Sequence, residues 1–317
     1  MIEKLGAIIT SASLLSGCTA GGDYYLVPDL SYPEVTSTDF PDNLPTAVTE
    51  QIPNVVSVLG SIPLLGKTEV CSGVRIDRYD YLSAGHCDYS LSSDALPLCV
   101  DMTIHSPVSE SDKNGIALPT TKKAGHYEGD TSGITRGDIN TIPNDTLLLE
   151  TPFEPRPYTT PTRIGDLSKI TTGMPLYLVN FEPTEEGMLR SPNSDYLTED
   201  EVRSGLTKPA ILGAIALKQY ANGMVAAIGG LKAYSEPPDT NVRGGASGGP
   251  VYNEEGDLVG TAINLIDFSS IFEVEQNYGI SIPEISSQST VNVFLVQNIS
   301  ESSIADLQEQ QQPTQSC

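Results

Sequence analysis

Short apolar runs recur along the chain, each bounded by Gly, Pro, Asn or Ser: Val55 to Leu59, Val70 to Ile76, Val100 to Ile104, Thr146 to Leu149, Leu176 to Phe181, Ala210 to Leu217, Met224 to Tyr234, Leu258 to Ile266 and Val293 to Ile299. Runs this short, with no helical period between them, predict the strands of an all-β sandwich or barrel. One helix is predicted from Glu301 to Gln310, where Ser300 can cap the first turn and Ile304 and Leu307 fall three apart on one face. The polar residues Gln308 to Ser316 then read as a frayed tail. No internal repeat is visible.

Before the first run the pattern changes. From Thr19 to Pro53 the chain is polar and carries Pro28, Pro33, Pro41, Pro45 and Pro53 among acidic residues such as Asp39, Asp42 and Glu50, which predicts a stiff, unpacked tether. Ahead of it, Lys4 is followed by a mostly apolar stretch from Leu5 to Leu15. That stretch is too short for a bilayer, which takes about 20 residues, so it reads as a signal peptide. Its end, Leu15-Ser16-Gly17-Cys18, resembles the lipobox of bacterial lipoproteins. The resemblance implies removal of residues 1–17 and acylation of Cys18, each buried acyl CH₂ contributing ~0.8 kcal/mol to membrane attachment. Thr19 in place of an aspartate after that cysteine points to the outer membrane if the host is Gram-negative.

Charge narrows the partners. With 17 Lys+Arg against 41 Asp+Glu the net charge is -24, which excludes a general nucleic-acid binder and leaves no basic patch for anionic lipid. The expected partners are a protein or peptide substrate and the membrane through Cys18, with the domain itself a monomer.

Three motifs carry candidate chemistry. Cys71-Ser72-Gly73 opens one run, and Tyr81-Leu82-Ser83-Ala84-Gly85-His86-Cys87 follows. Asn144-Asp145-Thr146-Leu147-Leu148-Leu149 puts a carboxylate at the head of an apolar run, and Gly244-Gly245-Ala246-Ser247-Gly248-Gly249-Pro250 puts a serine in a glycine-rich turn. In these residues, and in the order His, Asp, Ser, the chain resembles the trypsin-like (chymotrypsin-fold) serine proteases over about residues 53–310. The resemblance implies two six-stranded antiparallel β-barrels, the first at about 53–160 and the second at about 170–299, then the helix at 301–310 and a tail at 311–317. Residues 1–17 are the signal and 18–52 the tether.

A serine hydroxyl is a weak nucleophile at neutral pH and needs an adjacent neutral imidazole to take its proton. The resemblance therefore implies His86 as general base and then acid, Asp145 as the carboxylate that orients it, and Ser247 as nucleophile. The N–H groups of Gly245 and Ser247 would form the oxyanion hole. Asp138 is the rival carboxylate; the longer apolar run after Asp145 favours Asp145. His105 and His126 read as ordinary surface or core histidines. With three scattered histidines and no Cys-x-x-Cys, neither a metal nor any other cofactor is expected.

Departures from the family pattern are informative. Ala246 stands where members activated by propeptide cleavage carry an aspartate, and Pro53-Asn54-Val55-Val56 is not their usual start, so competence without N-terminal cleavage is expected. Asn241, six residues before Ser247, stands where trypsin-like members carry the pocket aspartate, while Ile263 and Leu265 fall on the pocket's other wall. Cleavage after an uncharged side chain is implied, with Asp239 the residue that would reverse this. Among the cysteines the resemblance pairs Cys71 with Cys87, which leaves Cys99 and Cys317 as the remaining pair. The expected function is an extracytoplasmic, lipid-anchored serine endopeptidase; the alternative is a catalytically silent homologue that binds rather than cuts.

Overall fold

Nine strands grow from the nine apolar runs, and five shorter ones complete the sheets. The computed structural model describes residues 34, 36, 39–62, 67–88, 100–106, 116–126, 144–154, 158, 160–183, 207–235, 242, 245–268, 271–282 and 291–314. In chain order the strands of the first half are β1 (Val55–Ile62), β2 (Lys67–Arg75), β3 (Asp80–Ser83), β4 (Asp101–Ser106), β5 (Ile116–Pro119), β6 (Lys122–His126) and β7 (Thr146–Glu150). Those of the second half are β8 (Pro175–Pro183), β9 (Thr207–Gln219), β10 (Val225–Ala233), β11 (Pro250–Tyr252), β12 (Leu258–Phe268) and β13 (Val291–Asn298). A last short strand, β14 (Gln312–Pro313), lies at the C-terminal end. Helices are α1 (Thr46–Thr49), α2 (Ile271–Tyr278) and α3 (Glu301–Gln310).

The second half closes on itself as a barrel in the order β10-β13-β12-β11-β8-β9, antiparallel throughout. The first half is an eight-stranded sheet in the order β14-β6-β7-β3-β2-β1-β4-β5. Its two sides are joined by the chain itself. Thr120 still donates its N–H to Met102 of β4 (3.1 Å), while the next residue, Thr121, donates to Glu150 of β7 (2.8 Å). Taken as one strand bent at this corner, β5 and β6 complete a ring of six with β1, β2, β3, β7 and β4. The architecture is all-β, with two chymotrypsin-like barrels.

One core fills the second barrel, with Leu176, Leu178, Leu212, Val225, Val251, Val259, Phe294 and Val296 facing inward. The other runs through the first barrel and onto the outer face of the second, from Val58, Leu82 and Leu148 to Tyr177, Val179 and Leu295. Strands β1 and β2 abut β8, and β2 abuts β11, so the apolar seam between barrels brings their loops together.

Two stretches read as unpacked are packed. In the expected tether, Phe40 and Val48 are buried in the core, and Phe40 stands edge-on to Tyr177 with ring centroids 6.1 Å apart. Tyr234 donates its hydroxyl to the carbonyl of Pro41 (3.1 Å) and Glu34 forms a parallel bridge with Ser281, so the chain is held against the second half from Glu34. Apolar side chains at Phe40 and Val48 outweigh the local proline content there. The expected tail is likewise corrected: β14 pairs with β6, and Thr314 bonds to Thr121 and Thr120 through its N–H (2.9 Å) and hydroxyl (2.6 Å). Helix α3 has the expected bounds, with Ser300 accepting from the Ser303 N–H (3.1 Å) and Ile304 and Leu307 buried. No helix among the described residues is long and apolar enough to cross a membrane.

Candidate active site

His86 sits in a single 3-10 turn, Gly85–Cys87, at the end of β3. The turn is held from three sides. The Cys71–Cys87 disulfide (S–S 2.05 Å) ties it to β2, as the resemblance implied, and closing that loop stabilises the fold by ~3 kcal/mol in the chain-entropy view. Asp88, fully buried, pairs with Lys123 Nζ on β6 at 2.5 Å. Gly85 has no side chain because a Cβ there would strike the carbonyl oxygen of His126 and lie 3.0 Å from Asp145 Oδ1.

Asp145 grips the histidine with both oxygens. Oδ1 accepts the His86 backbone N–H at 2.8 Å and Oδ2 lies 2.7 Å from Nδ1. The carboxylate is 1% exposed and the imidazole 18%. An ionised carboxylate only accepts, so Nδ1 carries the proton and Nε2 is left as the basic nitrogen. Of the two carboxylates considered, Asp145 makes these bonds; Asp138 lies outside the described residues.

The serine turn is anchored by the first barrel, chiefly through Ser72 on β2. The Ser72 N–H donates to the carbonyl of Ser247 (2.7 Å), and its hydroxyl donates to the carbonyl of Gly245 (2.7 Å) while accepting the N–H of Phe181 (2.7 Å). Within the second barrel Gly248 donates to Ala262 on β12 (2.6 Å). Gly248 has φ +79°, and a Cβ there would strike Ser72 O and Ser83 Oγ and come within 2.7 Å of the Ala84 N. Only glycine fits that backbone and that gap. The residue after Ser247 is thus pressed against the residue two before His86. Gly245 is also left-handed, at φ +93°, and Ala246 is buried inside the second barrel.

Two residues escaped the sequence reading. Ser72 looked like mere strand, and only its polarity between Cys71 and Gly73 distinguishes it. Gln297, 2% exposed on β13, accepts the Asp145 N–H through Oε1 at 3.4 Å and carries no sequence signal at all. The pocket wall needs correction: β12 has a register shift between Ala262 and Asn264. The extra residue sends Ile263 to the outer core and turns Leu265 toward the barrel interior, so the two do not line one wall. Asn241, Asp239, Cys18, Cys99 and Cys317 lie outside the described residues.

Among the described residues, Cys71, His86 and Cys87 bring three potential metal donors within 4.8 Å of one another. Both sulfurs are consumed by the disulfide, which leaves one donor.

No family model matches the chain, and no curated protein does. Among solved structures, it is similar to the active form of the Rv3671c protease from M. tuberculosis over 94% of this chain and 97% of that one, at 14% identity and TM-score 0.47. The inactive form of the same protease aligns over 84% and 92%, at 13% identity and TM-score 0.42. The functional reading rests on the geometry of the site.

Proposed function

We propose that the protein is a serine endopeptidase that acts outside the cytoplasm, held to a membrane by an acylated Cys18. The observation that carries the catalytic reading is the double grip of Asp145 on His86, through the ring Nδ1 and the backbone N–H. A carboxylate used merely to fill a core needs no imidazole fixed in one tautomer beside a serine turn.

In this reading His86 Nε2 takes the proton of Ser247 as its Oγ attacks the substrate carbonyl. Asp145 stabilises the imidazolium that results. The N–H groups of Gly245 and Ser247 receive the developing oxyanion, in a turn whose two left-handed glycines set their direction. His86 then returns the proton to the leaving amine, and water repeats the sequence on the acyl-enzyme. The uncharged Asn241 supports cleavage after an uncharged side chain.

The test is labelling by a fluorophosphonate, with turnover measured alongside. Wild type is expected to label and the Ser247→Ala variant not to, with turnover lower by roughly 10⁶ and little further loss on adding His86→Ala. Equal labelling of both proteins, or of neither, rejects the assignment; the latter outcome supports the silent homologue. Mass spectrometry of the mature N-terminus checks the anchor, which an unmodified Cys18 removes.

A further inference from the structure

We propose that Gln297 is a positioning residue that holds Asp145 in register with His86 from the opposite barrel; this rests on the serine-protease reading above. Gln297 belongs to β13 of the second barrel, yet its amide spans the seam to the loop ahead of β7 in the first. Oε1 accepts the Asp145 N–H (3.4 Å), and Nε2 donates to Asn144 Oδ1 (3.3 Å) and to the carbonyl of Asn298 (3.4 Å). Each bond is long and individually weak, but both ends of a buried amide are engaged, and two of the three bonds fall on consecutive residues ending at the carboxylate.

The demand on Asp145 makes such a brace consequential. Its two oxygens must meet two donors of His86 together, at 2.8 and 2.7 Å, and a small swing of the backbone would lengthen one at the expense of the other. The β7 ladder begins at Thr146, so it secures the chain only after Asp145. Gln297 supplies the hold on the near side. Its backbone neighbour Val296 pairs with Ala262, whose carbonyl takes the Gly248 N–H in the serine turn. Nucleophile and orienting carboxylate are thereby referred to the same two strands, β12 and β13.

Gln297 touches no reacting atom, so its loss is expected in turnover more than in substrate binding. Gln297→Met keeps length and volume while removing all three bonds. It should lower kcat about tenfold with KM unchanged within about twofold, and should weaken or shift the low-field NMR resonance of the His86 Nδ1 proton, identified by its absence in His86→Ala. Asn144→Ala, at an exposed residue, removes only the Nε2 bond to Asn144 and leaves the one to Asn298, without threatening the fold. It is expected to move both readouts the same way by about two- to threefold. A resonance unchanged in both variants, or a kcat loss that merely tracks lost folded protein, overturns the role. If the resonance responds but wild type takes no fluorophosphonate, Gln297 still positions the pair and it is the protease reading that fails.

Discussion

Thr261 faces Gln297 across the β12–β13 ladder, and its hydroxyl is buried with no hydrogen-bond partner among the described residues. Burying a hydroxyl unpaired costs about 1–3 kcal/mol, so Thr261→Val, which keeps the shape and discards the polar atom, is expected to raise Tm by about 2–4 °C and to leave turnover unchanged. A lower Tm in thermal unfolding would show that the hydroxyl is satisfied after all. The comparison with Gln297 also shows what sequence can reveal at this scale. The proposed triad of His86, Asp145 and Ser247 is legible because the chemistry proposed for it would draw on short local patterns: a cysteine-flanked histidine, a carboxylate before an apolar strand, a serine among glycines. Gln297 and Ser72 work through partners more than a hundred residues away; Gln297 leaves no local trace, and Ser72 only a polar residue between Cys71 and Gly73. Ile263 and Leu265 were misread for a related reason, since one extra residue in β12 reverses the side on which the next side chain falls.

Elements were legible where burial alone determines them. The nine apolar runs all became strands, but β3, β5, β6, β11 and β14 span only two to five residues each. Strand β6 carries Ala124 between two lysines and Gly125-His126, and is a strand because β7 and β14 pair with it. The C-terminal clasp that covers β6 also reaches β3, where Gln308 and Gln311 donate to Asp80 at 2.8 and 3.5 Å. Burial raises the Asp80 pKa above its ordinary 3.8, the two glutamine amides oppose that rise, and Glu150 and Asp77 add to it. The folded protein therefore holds this proton more tightly than the unfolded chain. The associated stability is complete below pH 3.8 and is lost as pH climbs through the folded value, so at neutral pH the charged carboxylate is a cost. Asp80→Asn keeps an acceptor for Gln308 and is expected to raise Tm by about 1–3 °C at pH 7, with the gain vanishing below pH ~3.8. A Tm that falls at pH 7 would mean that the glutamine bonds to a charged Asp80 outweigh its burial.

At the scale of the whole molecule the dominant property is the charge of -24. A protein of this charge attracts cationic peptides and repels acidic ones before any contact with the candidate site. The attraction is long-range, and its reach is set by the Debye length, about 30 Å at 0.01 M salt, 8 Å at 0.15 M and 3 Å at 1 M. Two peptides with the same uncharged residues around the scissile bond, one flanked at a distance by lysines and the other by glutamates, isolate this effect from the pocket. At 0.01 M salt the lysine-flanked peptide is expected to be cut with kcat/KM about tenfold or more above its counterpart, through faster encounter and with little difference in kcat. The ratio should shrink steadily with added salt and approach one near 1 M. A ratio that ignores salt would locate the discrimination in direct contacts at the cleft, and one that favours the acidic peptide would require a basic path to Ser247 that the composition does not suggest.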